Sequence, residues 1–453
     1  MPAVAGLFGT DGVRGVANRD LTPELAFSLG RAAVQALGGE GRPTFVVGRD
    51  TRVSGPMLQA ALSAGICSAG GDVVRLGVAP TPAVAFVTVD LGARAGAVIS
   101  ASHNPPEDNG IKFFSSAGTK LADEVEEEIE RLVREGDGAR GTDVGRVEDR
   151  PAAIERYLEH VVGAAEAPLD GIRVVVDCGF GAAFSLAPEA LRRLGAEVHP
   201  INDRDDGERI NVGCGATHPE VVAEEVRRVG ADAGVAHDGD ADRALFCDAE
   251  GNVIDGDQVI LACALGMKER DRLPGDAVVV TVMSNLGLRR ALEEAGIRIQ
   301  ETAVGDRFVA EEMARSGAAL GGEQSGHVIF AEHATTGDGI LTAVRFLSVA
   351  RAEGVPISEL AGRMRRYPQV LENVPVSSTS DLDGQPAIQE AVREAEAALG
   401  AFGRVLVRPS GTEPLVRVMV EAQTEEEARE HARRVARVVA EARGGSEEAS
   451  RVP

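Results

Sequence analysis

Three times the chain runs through a short block of branched apolar residues, breaks at a glycine-rich or polar loop, and then takes up a helical pattern. The blocks are 44–47 ahead of Gly48, Arg49 and Asp50; 172–177 ahead of Cys178, Gly179 and Phe180; and 277–282 ahead of Met283, Ser284 and Asn285. Branching at Cβ stiffens χ1 and favours extended backbone, and a short, wholly apolar run suits a strand covered on both faces. Strands of that kind alternating with helices predict an α/β fold, in which ligands bind in the loops at the strand ends. At 453 residues the chain exceeds a single core and predicts several domains.

Taken in order, the first segment carries a helix capped by Thr22 with Pro23 behind it, a second helix over 54–69, a strand over 73–76 and an acidic helix over 122–135. A Gly/Asp-rich stretch, 136–146, reads as a surface excursion before a connecting helix near 154–162. The second segment begins at strand 172–177. Its Gly179 and Gly181 invite a dinucleotide-binding reading, but Phe184 occupies the sixth fingerprint position, so both are taken as glycines of a βα turn. The third segment closes with a helix near 339–351. A fourth, smaller one has strands at 373–376, 404–407 and 415–420, a helix over 386–399, and a last helix announced by Thr424 and Glu427 and ending near Arg443, with 444–453 a frayed tail. The expected fold is three related α/β domains with βαβ-type mixed sheets, 1–152, 153–255 and 256–368, followed by a smaller C-terminal α+β domain, 369–453.

The formal net charge of −24 disfavours nonspecific attraction to nucleic acid or an anionic membrane, so an anionic ligand must meet locally clustered arginines. Five scattered cysteines without CxxC spacing argue against a disulfide framework or a zinc site. No apolar run is long enough to span a bilayer and no leader pattern opens the chain, so a cytoplasmic location is expected.

Four loops carry the chemistry. In the first, an apolar run from Gly96 to Ile99 breaks at Ser102 and His103; Pro105 and Pro106 bar a helix, and Asn109-Gly110 is expected to turn before Ile111, Lys112, Phe113 and Phe114. A serine, a neighbouring histidine and Lys112 could supply a nucleophile, a proton carrier and a cation for developing negative charge. Alone, the pattern also fits a plain loop or a hydrolase, although no Gly-x-Ser-x-Gly elbow is present. In the second loop Asp238, Asp240 and Asp242 alternate, which in extended backbone would put three carboxylates on one face. An EF-hand fails, with Arg243 at its sixth position and Ala249 at its twelfth; oxygen ligands alone suit Mg²⁺ sharing a phosphate oxygen. Third, Glu323, Ser325 and His327 alternate after Gly321 and Gly322, and such groups bind hydroxyl-rich ligands. Fourth, Arg408, Ser410, Gly411 and Thr412 lie between two strands as a guanidinium, two hydroxyls and flexible backbone suited to phosphate; no GxxxxGK[ST] occurs.

In this order the loops resemble the four motifs of the α-D-phosphohexomutases, and the likeness spans nearly the whole chain. Gln324, the 281–287 stretch, the 304–307 stretch and Thr336-Gly-Asp338-Gly resemble the glucosamine branch more than the mannose/glucose branch. The resemblance implies four domains around a central cleft, Ser102 as a phosphoserine, and Mg²⁺ held by Ser102, Asp238, Asp240 and Asp242. It implies interconversion of glucosamine 6-phosphate and glucosamine 1-phosphate through glucosamine 1,6-bisphosphate, feeding UDP-N-acetylglucosamine and cell-wall precursors. Ser102, His103, Lys112 and Arg243 would be catalytic, with either His103 or Lys112 as general acid/base. Arg14, Arg307, Glu323, Ser325, His327, Arg408, Ser410, Gly411 and Thr412 would bind the phosphosugar. A homodimer and a hinge near 365–368 are further expectations. Phosphomannomutase/phosphoglucomutase activity and a noncatalytic sugar-phosphate sensor are the alternatives. Ala241 stands where the family often has glycine between the second and third aspartates, and His237 and Phe180 are also unusual; His237 could tune the metal loop.

Overall fold

The computed structural model describes residues 6–9, 11–39, 41–136, 143–378, 382, 384–410 and 415–444. It divides into two compact units, one of residues 1–283 with 296–363 and one of 284–295 with 364–453.

The first unit holds three sheets. The first is built from β1 (Val13–Val16), α1 (Pro23–Ala36), β2 (Thr44–Arg49), α2 (Gly55–Ser68), β3 (Asp72–Val78), α3 (Thr81–Asp90), β4 (Ala95–Ile99), β5 (Asp108–Ser115), α4 (Asp123–Glu135) and β6 (Val147–Asp149). Its strand order is β1-β5-β4-β2-β3-β6, parallel from β4 to β6, with β1 and β5 antiparallel at one edge. Thr22 caps α1 through the Leu25 amide, as its sequence position predicts. β4 is buried along its full length, and so are the middle residues of β2; this places the apolar run 96–99 at the centre of the core. Asn109-Gly110 is not a turn. Both residues lie inside β5, and the reversal comes earlier, closed by Asp108 N donating to Pro105 O.

After α5 (Ile154–Gly163), the second sheet takes β7 (Arg173–Asp177), α6 (Leu186–Arg193), β8 (Glu197–Ile201), α7 (Pro219–Val229), β9 (Ala233–His237), β10 (Ala244–Asp248) and β11 (Val253–Ile254), ordered β11-β10-β9-β7-β8. The third takes α8 (Gly256–Glu269), β12 (Ala277–Thr281), α9 (Leu286–Glu294), β13 (Arg298–Thr302), α10 (Asp306–Ser316), β14 (Leu320–Gly322), β15 (Val328–Phe330), α11 (Gly339–Glu353) and α12 (Ile357–Gly362), ordered β13-β12-β14-β15. In both, the parallel strands give way to an antiparallel hairpin, β9–β10 (continued by β11) and β14–β15, and those two hairpin turns carry the aspartate loop and the Glu323 loop. The helix α9, although it lies between β12 and β13, belongs to the second unit.

That second unit is an antiparallel sheet of β16 (Gln369–Pro375), β17 (Arg404–Pro409) and β18 (Leu415–Glu421), ordered β16-β18-β17, with α13 (Pro386–Leu399) and α14 (Glu425–Arg443). Thr424 caps α14 through the Glu427 amide. Glu421 is wholly buried and accepts hydrogen bonds from Arg404 Nε at 2.9 Å, Asn285 Nδ2 at 3.0 Å and Leu286 N at 3.2 Å, which ties the start of α9 to this sheet. The expected hinge residues 365–368 fall within this unit, and the chain passes between the units three times, at 283/284, 295/296 and 363/364.

Candidate active site

Ser102 lies in the loop between β4 and β5 with φ of +49°, a left-handed backbone that a side chain enters at a cost of about 1–2 kcal/mol and that persists only where the surroundings hold it. Its N–H donates to Ser100 Oγ at 2.9 Å, and Ser100 Oγ donates to Asp50 Oδ2 at 2.6 Å. Its carbonyl accepts from Arg52 Nη2 at 2.9 Å and from Asn211 Nδ2 at 2.8 Å. Arg52 is fully buried and spends the rest of its guanidinium on Asp50 and on the carbonyls of Asn104, Pro105 and Asp108. Backbone and side chain are thereby separated in function: the first is fixed, and the second is left to face the aspartates.

Ser102 Oγ donates to Asp238 Oδ2 at 2.6 Å and lies 3.2 Å from His103 Nδ1. The three aspartates converge, their ligand oxygens all within 4.8 Å of one another, but not by strand alternation. They sit in the β9–β10 turn, closed by Ala241 N donating to Asp238 O, with Ala241 at φ +57°. Glycine would enter this left-handed conformation without a Cβ clash. Three surrounding segments each pin one carbonyl of the turn: Ala182 N on Gly239 O at 2.8 Å, Thr81 N on Asp240 O at 2.9 Å, and Gly339 N on Ala241 O at 2.9 Å. Gly181 is required here, since a Cβ would stand 2.5 Å from Gly239 O.

The donor set fits a hard divalent cation. Asp240 Oδ1 and Asp242 Oδ1 are buried and accept no hydrogen bond among the described residues. Burial, and then the neighbouring carboxylates, pushes Asp238 and Asp242 above the usual carboxylate range. Asp240 is also buried, yet Lys112 and the Thr81 hydroxyl bring it down to about 2. A third positive centre in the turn would let all three ionise together.

Lys112 Nζ lies 3.0 Å from Asp240 Oδ2 and 3.7 Å from both Asp11 Oδ2 and Asp242 Oδ2; burial opposes its charge, but these carboxylates hold it above the ordinary lysine range. Asp11 passes the network to Lys120 at 2.7 Å, and Lys120 to Asp306 at 2.7 Å. His103 is brought down to about 4 by burial and by Arg243 and Arg14, the two arginines that face it. Arg243 donates its backbone N–H to Asp238 Oδ1 at 3.2 Å, while its carbonyl accepts from His237 Nδ1 at 3.1 Å. His237 is completely buried and held neutral, lowered to about 4 by burial, and so supports the turn without adding charge.

Glu323, Ser325 and His327 lie on a hairpin turn and not on a strand: Glu323 N donates to His327 O, and Gly326 at φ +91° lets the turn approach Ala244, the first residue of β10. Glu323 accepts from Gly305 N at 3.1 Å and from Ser325 Oγ at 3.3 Å. His327 is buried, its Nε2 accepting from Gly337 N at 3.2 Å. Arg307 stands apart from this group, committed to Leu121 O, Asp123, Glu126 and Glu311. In the second unit, Arg408 Nε and Ser410 Oγ are buried with no hydrogen-bond partner among the described residues, and burial together with the facing Arg417 lowers the Arg408 pKa. Gly411 and Thr412 lie outside the described residues. Arg52, Asn211, Asp11, Lys120 and Tyr157 have no place among the sequence-derived site residues. Of these only Arg52 carried a legible signal, a charged Asp50/Arg52 pair directly after an apolar strand.

Comparison with known proteins covers almost the whole chain. Models of phosphoglucomutase/phosphomannomutase alpha/beta/alpha domains I, II and III match residues 5–140, 155–251 and 255–367, and that of the C-terminal domain matches 371–438. The phosphoglucosamine mutase of Symbiobacterium thermophilum is 59% identical over 423 residues, 92% of this chain and 94% of that one. That of Thermobifida fusca is 55% identical over 421 residues, 92% of this chain and 94% of that one. Among solved structures, a phosphoglucomutase/phosphomannomutase family protein from Burkholderia thailandensis superposes with TM-score 0.82 at 25% identity, covering 98% of both chains. Aspergillus fumigatus N-acetylphosphoglucosamine mutase, in complex with GlcNAc-6P and magnesium, shares the fold, with TM-score 0.70 at 19% identity over 96% of this chain and 95% of that one. The chain belongs to the phosphoglucomutase/phosphomannomutase family, the α-D-phosphohexomutases, and within it to the branch of the phosphoglucosamine mutases.

Proposed function

We propose that the chain interconverts glucosamine 6-phosphate and glucosamine 1-phosphate, with Ser102 carrying a phosphoryl group between the two oxygens. The observation that carries this reading is the Ser102 hydroxyl 2.6 Å from Asp238, at the rim of three converging carboxylates. Three carboxylates do not make an oxyanion hole; a hydroxyl set against them suits a group that is itself to be phosphorylated beside a cation.

Asp238, Asp240 and Asp242 would hold Mg²⁺, with a phosphoserine oxygen completing the site. When bound, that ion would neutralise charge on the transferring phosphoryl group. The chain's own residues do the remainder. Lys112, held charged by Asp11, Asp240 and Asp242, would place a cation beside the transferring group. His103, 3.2 Å from Ser102 Oγ, and Lys112 are the two groups that could take the proton of the attacking sugar hydroxyl. In that step the P–O bond to Ser102 breaks and one to the sugar oxygen forms, giving a 1,6-bisphosphate. Once the bisphosphate has turned over, its 6-phosphoryl group passes to Ser102: the P–O6 bond breaks, the Ser102 ester forms again, the proton returns to O6, and glucosamine 1-phosphate leaves. Arg14 and Arg243 flank the path, and Glu323 and Ser325 offer acceptors to ring hydroxyls.

A coupled assay comparing glucosamine, glucose and mannose 6-phosphates tests the substrate, with glucosamine expected to have the highest kcat/KM; mannose or glucose in first place would move the assignment to the phosphomannomutase/phosphoglucomutase reading. Intact-mass analysis tests the carrier: about one phosphate per chain is expected on the native protein and none on Ser102→Ala. Turnover by the Ser102→Ala variant would refute the carrier role.

A further inference from the structure

The Thr336-Gly337-Asp338-Gly339 stretch takes no part in the mechanism above, yet it abuts the aspartate turn. Gly339 N donates to Ala241 O at 2.9 Å. No side chain is admissible at Gly339, since a Cβ would stand 2.2 Å from Arg243 O and 2.8 Å from His237 Nδ1. The amide is aimed by its neighbour. Asp338 is the N-cap of α11, its Oδ1 accepting from Leu341 N at 2.9 Å, and it is itself only 2% exposed. The Tyr157 hydroxyl on α5 donates to that carboxylate, 2.9 Å from both of its oxygens, and Tyr157 is fully buried in turn, its ring edge-on to Phe86 at 5.9 Å. A buried carboxylate on a helix cap needs a donor beyond the cap amide, and the tyrosine is that donor.

The other two pinned carbonyls of the turn, on Gly239 and Asp240, precede the left-handed residue; only the Gly339 contact falls on Ala241 itself. A non-glycine residue at φ +57° stays there only while something outside the turn holds it.

We propose that Tyr157 and Asp338 are positioning residues for the divalent-cation loop: Tyr157 fixes Asp338, Asp338 fixes the first turn of α11, and the Gly339 amide then keeps Ala241 in the conformation that makes Asp238, Asp240 and Asp242 converge. The inference rests on the reading of those three aspartates as cation ligands. It names two residues that touch neither substrate nor cation.

The test is Mn²⁺ binding by the purified full-length protein, followed by electron paramagnetic resonance of the free ion, with phosphorylation of Ser102 matched by intact mass. Wild type, Asp240→Ala, Tyr157→Phe, Asp338→Ala and the double variant Tyr157→Phe/Ala241→Gly are compared. Tyr157→Phe keeps the ring packing and removes one hydroxyl, so its fold is retained even where Asp338→Ala fails to fold. Mn²⁺ affinity in Tyr157→Phe is expected to fall about three- to tenfold, with KM for the sugar phosphate within twofold of wild type. Glycine at 241, which enters the left-handed region without a Cβ clash, is expected to restore most of the lost affinity. A merely structural tyrosine would lower the melting temperature and leave Mn²⁺ affinity unchanged; that result overturns the proposal. If wild type and Asp240→Ala bind Mn²⁺ equally, the failure lies instead with the cation reading itself.

Discussion

Replacing Arg52 with methionine keeps a side chain of similar length but removes the guanidinium donors that hold the serine loop from behind. In the native protein its guanidinium lies 2.9 Å from Asp50 Oδ2, 2.9 Å from Asp108 O, 2.9 Å from Ser102 O and 2.8 Å from Asn104 O, with Pro105 O also in contact. Both Arg52 and Asp50 are wholly buried, so the substitution strands a carboxylate that keeps only Ser100 Oγ and the residue-52 amide. Removing one partner of a buried ion pair costs about 3–5 kcal/mol, and at roughly 2–4 °C per kcal/mol the transition of the first unit is expected to fall by about 10 °C. Asn211 still serves the Ser102 and Asn104 carbonyls, which limits the further loss.

The pH dependence has a definite sign. Burial raises the Asp50 pKa even with Arg52 present, and loss of the guanidinium raises it further. An acid whose folded pKa lies above its unfolded one contributes stability at low pH that is lost as pH rises through the folded pKa. The deficit of Arg52→Met is therefore larger at pH 8 than at pH 5. Since a displacement of about 1 Å at a reacting group can cost on the order of 100-fold, kcat should fall by about that factor. Arg52→Lys restores charge but not the fork, and should recover part of the stability and little of the rate. Differential scanning calorimetry at the two pH values, with the coupled assay, measures all three quantities. A transition within 2 °C of wild type with unchanged kcat would show that the loop holds its shape without Arg52.

Other substitutions probe neighbouring supports. Ala241→Gly relieves a left-handed side-chain cost of about 1–2 kcal/mol but adds unfolded-state entropy, so denaturant titration should show a net stabilisation of about 0.5–1 kcal/mol. Gly181→Ala drives a Cβ to 2.5 Å from Gly239 O, and isothermal titration with Mg²⁺ should show weakened binding alongside a loss of about 1–3 kcal/mol in thermal unfolding. Glu421→Ala removes the buried carboxylate that accepts from Arg404 Nε, Asn285 Nδ2 and Leu286 N, and should destabilise the second unit by about 3–5 kcal/mol; hydrogen exchange is expected to rise in α9 together with β18.

Local chemistry was legible in the linear chain because it depends on neighbours a few residues away. The Thr22 and Thr424 caps, the buried strand at 96–99 and the three valine-rich strands follow from side-chain branching, capping hydroxyls and apolar runs, and the structure has them where the sequence predicts. The chemical character of the candidate site was legible too, as three aspartates in five residues and a serine in a proline-bounded loop. How those groups are brought together was not. Alternation suggested that the aspartates share a strand face, and likewise Glu323, Ser325 and His327; both sets sit on hairpin turns, and their convergence depends on a left-handed Ala241 and a left-handed Gly326 that no local periodicity encodes. Arg307 was expected to bind the phosphosugar, and its contacts with Leu121 O, Asp123 and Glu126 were not readable from its place in a motif. The supports came from far along the chain: Arg52 lies 50 residues from Ser102, Asn211 lies 109 away, and Tyr157 lies 181 from Asp338. The sequence determined which groups carry the chemistry, since that is a property of side chains. Tertiary structure decided their distances and their electrostatic surroundings, because burial and opposing charge exist only once distant segments have packed together.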